Sequence, residues 1–128
     1  MIVTVKGKIF TGSGDGKKYI SLHWVRRQAK EKLGFDPYPG TLNLTLPPDA
    51  EIIRLLKAFR GWETPSKKGY FPGRFYRALI MGEVFGAVVR PEVPSYPETV
   101  LEVIAPLYLR EKFRLKDGDE LEIKIWLE

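Results

Sequence analysis

Short segments in which apolar and polar residues alternate constrain the fold of this chain more than any other feature. The clearest runs over residues 41–46, where three leucines share one face of a strand and three polar residues share the other. Strands are predicted at 2–10, 41–46, 74–81, 84–90, 99–105 and 120–127. Turns are predicted at Gly82 and at Asp117-Gly118, so several strands follow one another through short connections.

Helices are fewer than strands in this pattern. They are predicted over residues 22–33, 49–59 and 106–113, and residues 60–73 are predicted to be a loop. Gly34 stands where a glycine commonly ends a helix, and Pro106 is tolerated in a first helical turn. A doubly wound parallel sheet needs a helix between most strands. We therefore predict a mainly β fold, a closed or nearly closed β-barrel with peripheral helices.

The composition excludes several classes of protein. A length of 128 residues fits one domain, residues 1–128. The chain has no Cys and a single His, His23, which excludes disulfides and zinc sites built from Cys and His. No apolar run approaches the roughly 18 residues of a membrane span, and the first residues read as a strand rather than as a secretory signal. We therefore expect a cytoplasmic protein without a membrane partner.

The chain is basic, with a formal net charge of +5, which bears on the ligands that it could bind. A basic domain can bind nucleic acid or small polyphosphates, and the same surplus also fits an ordinary solvated surface. Amides are rare, since Asn43 is the single Asn and Gln28 the single Gln, and there are ten Pro. This scarcity of thermolabile residues is typical of a thermophile's protein.

A Gly-rich segment follows the first predicted strand, with the sequence Gly12-Ser13-Gly14-Asp15-Gly16-Lys17-Lys18. Glycines let the backbone approach a ligand and direct N–H groups at an anion, and the lysines add positive charge. The spacing is not that of a Walker motif, and no βαβ unit surrounds it as a Rossmann motif requires. Phosphate binding and a flexible hairpin loop both remain open interpretations.

Three polar residues on predicted strands could carry chemistry. Thr41 and Asn43, two residues apart, would present oxygens on one face and could hold Mg²⁺ beside phosphates; the alternative is a solvated polar stripe. Glu102 lies among apolar neighbours within residues 99–105, where a carboxylate is either paired or functional. It could act as a general base toward a hydroxyl, or face outward from a surface strand.

Two further segments allow either a binding role or a structural one. The helix after Pro106 offers an N-terminus and Arg110 to an anion, or is simply amphipathic. In residues 60–77, basic residues alternate with aromatic ones. Such a stretch can stack on single-stranded nucleic acid, cover a flat ring, or place aromatics in the core between solvated charges.

Taken together, these segments resemble the archaeal CTP-dependent riboflavin kinase family. The resemblance is carried by residues 12–16 with Tyr19, by 33–44, by 86–91, by 101–106, by Leu109-Arg110 and by 115–119. The most specific block is residues 33–44, LGFDPYPGTLNL. The resemblance implies a closed six-stranded β-barrel of the cradle-loop type. It also implies transfer of a phosphoryl group from CTP to the 5′-hydroxyl of riboflavin, giving FMN and CDP.

The resemblance also implies roles for individual residues. Nucleotide-binding residues would be Ser13, Gly14, Asp15, Gly16, Lys17, Lys18, Leu107, Tyr108, Leu109, Arg110, Glu111 and Lys112. Thr41 and Asn43 would bind Mg²⁺, and Glu102 would lie at the flavin as the base. Members of the family often have Thr where this chain has Pro94, so Ser95 is expected to take over that flavin contact. Tyr38 and the aromatics near 70–76 are candidates to cover the isoalloxazine ring.

Two alternatives stand beside this prediction. One is a non-enzymatic barrel that binds nucleic acid through residues 60–77, and the other is a kinase of a different small alcohol. The Gly-rich segment and the Thr41–Asn43 pair favour the kinase, because a nucleic-acid-binding module needs neither. We therefore expect CTP/CDP and riboflavin/FMN as ligands, no nucleic acid, and a monomer.

Overall fold

The structure, a computed structural model, describes residues 1–13, 23–64 and 72–128. Its strands are β1 (Ile2–Phe10), β2 (Leu42–Thr45), β3 (Trp62–Thr64), β4 (Gly73–Ile80), β5 (Val84–Pro91), β6 (Val100–Ile104) and β7 (Glu120–Trp126). Its helices are α1 (His23–Leu33), α2 (Glu51–Ala58) and α3 (Leu109–Lys112). The described part of the chain is therefore mainly β, with short helices between strands.

Six strands close into an antiparallel barrel. Their order is β4-β5-β6-β2-β1-β7, and β7 pairs back onto β4. Strand β4 makes this possible because its two halves have different partners on one edge: Gly73 pairs with Thr64 of β3, whereas Ile80 pairs with Ile123 of β7. The predicted closed six-stranded barrel is confirmed, and β3 extends the sheet as a seventh strand beside it.

The core follows from the alternation in the sequence. Inward-facing residues such as Leu44, Leu101 and Ile123 are fully buried in the main cluster. A second cluster lies on the outer face of the sheet, where Val25 of α1 packs with Val89 of β5 and neighbouring residues. Burial of each such side chain is worth roughly 1.5–3 kcal/mol, so the period of the strands determines which way each one faces.

Three sequence predictions of local structure differ from the structure. Strand β3 lies where a loop was predicted, because three residues are too few to show a period; Trp62 packs against Phe75 with ring centroids 5.0 Å apart. The last helix begins at Leu109 rather than at Pro106, since Tyr108 is still extended. Helix α2 ends at Ala58, because Phe59 has extended backbone angles.

Within residues 1–13, 23–64 and 72–128, none of the helices combines the length and the apolar character needed to span a membrane.

Candidate active site

Strand β6 carries a buried carboxylate on the outer face of the barrel. Glu102 pairs with Asn43 of β2 on one side and with Val89 of β5 on the other, and it is 8% exposed. Its Oε1 accepts a hydrogen bond from the Thr41 hydroxyl at 2.9 Å, and its Oε2 accepts one from the Tyr96 hydroxyl at 2.6 Å. Glu102 is thus a fixed, hydrogen-bonded carboxylate and not a solvated surface residue.

Thr41, Asn43 and Glu102 form one group of side chains, called here the polar cluster. Thr41 Oγ1 lies 3.4 Å from Asn43 Oδ1 as well as 2.9 Å from Glu102 Oε1. Pairing of β2 with β6 brings this about, since Asn43 and Glu102 are directly opposite each other. The structure therefore brings together the two residues predicted to bind a metal and the residue predicted to act as a base.

The first glycine of the Gly-rich segment packs against this cluster. A Cβ placed on Gly12 would lie only 2.3 Å from Asn43 Nδ2, 3.2 Å from Cγ and 3.6 Å from Oδ1. No side chain other than hydrogen fits at Gly12 unless the amide moves. The nitrogen of the Asn43 amide therefore faces Gly12, and its oxygen faces Thr41.

A second contact joins the start of the Gly-rich segment to α3. Asp117 accepts hydrogen bonds from the Thr11 hydroxyl and from Arg110 Nη2, both at 2.7 Å. These bonds, the Thr11 bond first, lower the pKa of the Asp117 carboxyl below its ordinary value. Arg110, predicted to contact the nucleotide, is thus already oriented by a carboxylate from the turn before β7.

An open cleft lies beside the polar cluster and shares one residue with it. Thr41 is among the residues that line the cleft, as is Arg110, whereas Asn43 and Glu102 are not. The rings of Tyr38 and Tyr108 stack at its edge, with centroids 5.1 Å apart and 14° between their planes. Both tyrosines remain exposed, at 43% and 45%, and the Tyr38 N–H donates to the Ala105 carbonyl at 2.8 Å. A flat aromatic surface is therefore available beside the cluster.

Tyr96 is a residue of the site that sequence analysis missed. Burial, followed by the hydrogen bond to Glu102, raises the pKa of the Tyr96 hydroxyl, so it stays protonated and donates to the carboxylate. The sequence shows a Tyr six positions before Glu102, but spacing cannot reveal a contact made across a turn. Ser95, the predicted flavin contact, is exposed and has φ 70°.

Arg90 fixes the chain that carries Tyr96. Arg90 Nη1 donates to the carbonyls of Glu98 and Val100, at 3.1 and 2.7 Å. The side chain is buried, and burial lowers the pKa of its guanidinium. Two carbonyls held by one buried side chain keep the turn before β6 at a fixed distance from β5.

Comparison with known proteins points to one family. The model of the CTP-dependent riboflavin kinases, described as "Domain of unknown function DUF120", matches residues 9–125. The chain belongs to this family. It is 39% identical to the riboflavin kinase of Archaeoglobus fulgidus over 98% of its own length, and 41% identical to those of Methanocella arvoryzae and Pyrobaculum islandicum over 94% and 98%. It spans 55%, 56% and 62% of the lengths of these relatives.

The nucleotide-binding residues predicted from the family are only partly described. Ser13 is described and exposed, whereas Gly14, Asp15, Gly16, Lys17 and Lys18 lie outside the described residues. In the second predicted segment, Leu107, Tyr108, Leu109 and Arg110 line the cleft, and Leu109 also belongs to the buried core. Glu111 and Lys112 are exposed.

The aromatic residues of the basic stretch 60–77 are mostly structural where they are described. Phe75 and Tyr76 are buried, so the prediction that they cover a flavin ring is wrong; they are core residues of β4. Arg60 and Arg74 both pair with Glu92. Residues 65–71, with four members of the predicted set, lie outside the described residues. The described part of this stretch therefore fits core aromatics between paired or solvated charges.

Proposed function

We propose that this chain is a riboflavin kinase that transfers the terminal phosphoryl group of CTP to the 5′-hydroxyl of riboflavin, giving FMN and CDP. The observation that carries the proposal is the polar cluster, with Thr41 on the wall of an open cleft, in a chain that belongs to the CTP-dependent riboflavin kinase family. The relatives named above are riboflavin kinases, which supports riboflavin as the acceptor. The name of the family supports CTP as the donor.

The residues that line the cleft offer groups that binding of a nucleotide would use. Phosphoryl transfer requires charge on the transferring group to be stabilised and the attacking and leaving oxygens to be aligned. Arg110 supplies a fixed cation at the cleft, and Tyr108 offers a ring on which a base can stack. Gly12, the first residue of the Gly-rich segment, lies beside Asn43, and successive glycines in a segment of this kind can direct backbone N–H groups at an anion.

The polar cluster also fits Mg²⁺. The ion prefers hard oxygen ligands, few of them from protein, and completes its shell with water and substrate phosphates. Thr41 and Asn43 supply such oxygens. In the part of the chain that the structure describes, no group of three or more His, Cys, Asp or Glu side chains is arranged so that it could hold a metal ion. The ion would neutralise charge that develops on the phosphates, while Thr41 and Asn43 would hold it in place.

In the proposed reaction Glu102 would accept the proton of the riboflavin hydroxyl. The carboxylate is buried and its two oxygens are held by separate donors, so its orientation is fixed. Tyr96 comes from the same segment as Ser95, which the family resemblance associates with the flavin. A hydroxyl bound between this segment and the polar cluster would meet Glu102 and the phosphates together.

The function is tested by incubating the protein with riboflavin, Mg²⁺ and each of the four nucleoside triphosphates, and measuring FMN. We expect FMN with CTP and much less with the others. Asn43→Leu should abolish most of the activity at limiting Mg²⁺, with partial recovery at high Mg²⁺, because an oxygen ligand is lost. Thr45→Val, an exposed change on the same strand, is the matched control and should have no effect.

Two outcomes would contradict the proposal in different ways. FMN formed with ATP but not with CTP would overturn the donor and leave the acceptor standing. No FMN with any nucleotide, from protein shown to be folded by circular dichroism, would overturn the kinase function itself.

A further inference from the structure

Glu102 Oε1 lies 2.9 Å from Thr41 Oγ1, one of the two proposed metal ligands, and a role as base does not require this contact. We propose that Glu102 ligates the divalent cation through Oε1, so that the site has three protein ligands, Thr41, Asn43 and Glu102. The inference deepens the proposed function, because the cation is the one that phosphoryl transfer would use. Oε2, which faces Tyr96, is then the oxygen left to accept a proton.

The spacing of the oxygens supports this assignment. Mg²⁺ binds oxygens octahedrally at about 2.0–2.1 Å, which places neighbouring ligand oxygens about 3 Å apart. Thr41 Oγ1 lies 2.9 Å from Glu102 Oε1 and 3.4 Å from Asn43 Oδ1. Both distances from Thr41 Oγ1 are therefore close to the edge of such an octahedron, as expected for oxygens that share one ion.

The charges of the three side chains also support the role of Glu102 as a ligand. Thr41 and Asn43 are neutral, whereas Mg²⁺ in proteins is usually held by one or two carboxylates. Glu102 is buried, and in the described ranges no Lys or Arg nitrogen lies within 4.0 Å of its carboxylate. A buried anion with hydroxyl donors but no cationic partner is costly, and a bound cation would offset that cost.

Neighbouring residues contact the Asn43 and Glu102 side chains on the sides away from Thr41. The nitrogen of the Asn43 amide lies on the side of Gly12, and Oδ1 lies on the side of Thr41. The Tyr96 hydroxyl donates a hydrogen bond to Oε2 of Glu102, and Oε1 lies on the side of Thr41. Such supporting contacts are what hold the ligands of a metal site in place.

The experiment measures metal binding directly, with neither nucleotide nor flavin present. Mn²⁺, which replaces Mg²⁺ at oxygen sites, is titrated into the folded protein and the free ion is followed by electron paramagnetic resonance. We expect Glu102→Gln to weaken Mn²⁺ binding at least about tenfold, as even supporting residues of metal sites do. Glu102→Asp, which keeps the charge, should weaken it less. Glu120→Gln, at an exposed carboxylate on β7, controls for the change in net charge.

The outcomes separate this inference from the proposed function. Mn²⁺ binding that depends on Glu102 in a protein that forms no FMN would support the metal site and overturn the kinase. Normal FMN formation, with Glu102→Gln binding Mn²⁺ as tightly as Glu120→Gln does, would overturn the ligand role. Wild-type protein that binds no Mn²⁺ at millimolar concentrations would also contradict it, since the three ligands are already in place.

Discussion

A single methyl group on Gly12 should disturb the polar cluster without unfolding the barrel. The Cβ of Gly12→Ala would lie 2.3 Å from Asn43 Nδ2, whereas an ordinary contact is 3.4 Å or more. The amide must therefore retreat by about 1.1 Å, the difference between these two distances, and its oxygen moves with it.

The size of the effect follows from that displacement. A misplacement of about 1 Å in a catalytic constellation can cost on the order of 10²-fold in rate. Gly12 is exposed, and Gly→Ala at a compatible position stabilises a protein by about 0.4–1 kcal/mol through the unfolded chain, which offsets part of the local strain. We expect turnover at limiting Mg²⁺ to fall about 10²-fold and the free energy of unfolding to change by no more than about 1 kcal/mol.

The assay is a double-mutant cycle with Asn43→Ala, read by FMN formation and by Mn²⁺ binding. Alanine at position 43 removes the amide that the new methyl group would strike. Gly12→Ala should therefore cost little in that background, and the two effects should be strongly non-additive. If Gly12→Ala lowered the rate by the same factor in both backgrounds, Gly12 would act through the loop backbone and the reasoning from the Asn43 contact would be refuted.

Two further predictions concern hydrogen bonds near the site. Removing the donor in Thr11→Val should raise the pKa of Asp117 toward its ordinary value, measured by NMR titration of the carboxyl carbon; an unchanged pKa would mean that the Thr11 bond is absent in solution. Tyr76→Phe should lower the free energy of unfolding by about 1–2 kcal/mol in urea denaturation, because the buried hydroxyl lies 2.6 Å from the Phe59 carbonyl. If the urea midpoint of Tyr76→Phe equalled that of the wild type, water would be satisfying the Phe59 carbonyl instead.

Local periodicity was sufficient to predict most of the barrel. The alternation at residues 41–46 places Leu44 inside and Asn43 outside, and it does so in the structure. Strand β3 escaped prediction because it is held by side-chain contacts with β4, including the Thr64 hydroxyl, which accepts a hydrogen bond from the Gly73 N–H at 2.9 Å. Such tertiary contacts override what three residues can signal on their own.

The candidate site was predictable where its residues lie close together in the sequence. Thr41 and Asn43 follow from a period of two, and Glu102 stands out as a carboxylate among apolar neighbours. The contact of Gly12 with Asn43 and that of Tyr96 with Glu102 join segments through the barrel and its turns, so no local pattern reports them. Their contribution could be found only once the strands were paired.

Packing of β2 on the inner face of the barrel determines which polar residues meet on the outer face. Strand β2 has four residues, and its register sets Leu44 opposite Leu101 inside and Asn43 opposite Glu102 outside. A slip of one residue would turn Leu44 out of the core, at a cost of roughly 2 kcal/mol for that side chain alone, and would separate Asn43 from Glu102. Core substitutions that shift β2 should therefore lower Mn²⁺ affinity before they unfold the protein. Leu44→Ala with Mn²⁺ affinity unchanged at reduced stability would show that the register is held by the backbone pairing instead.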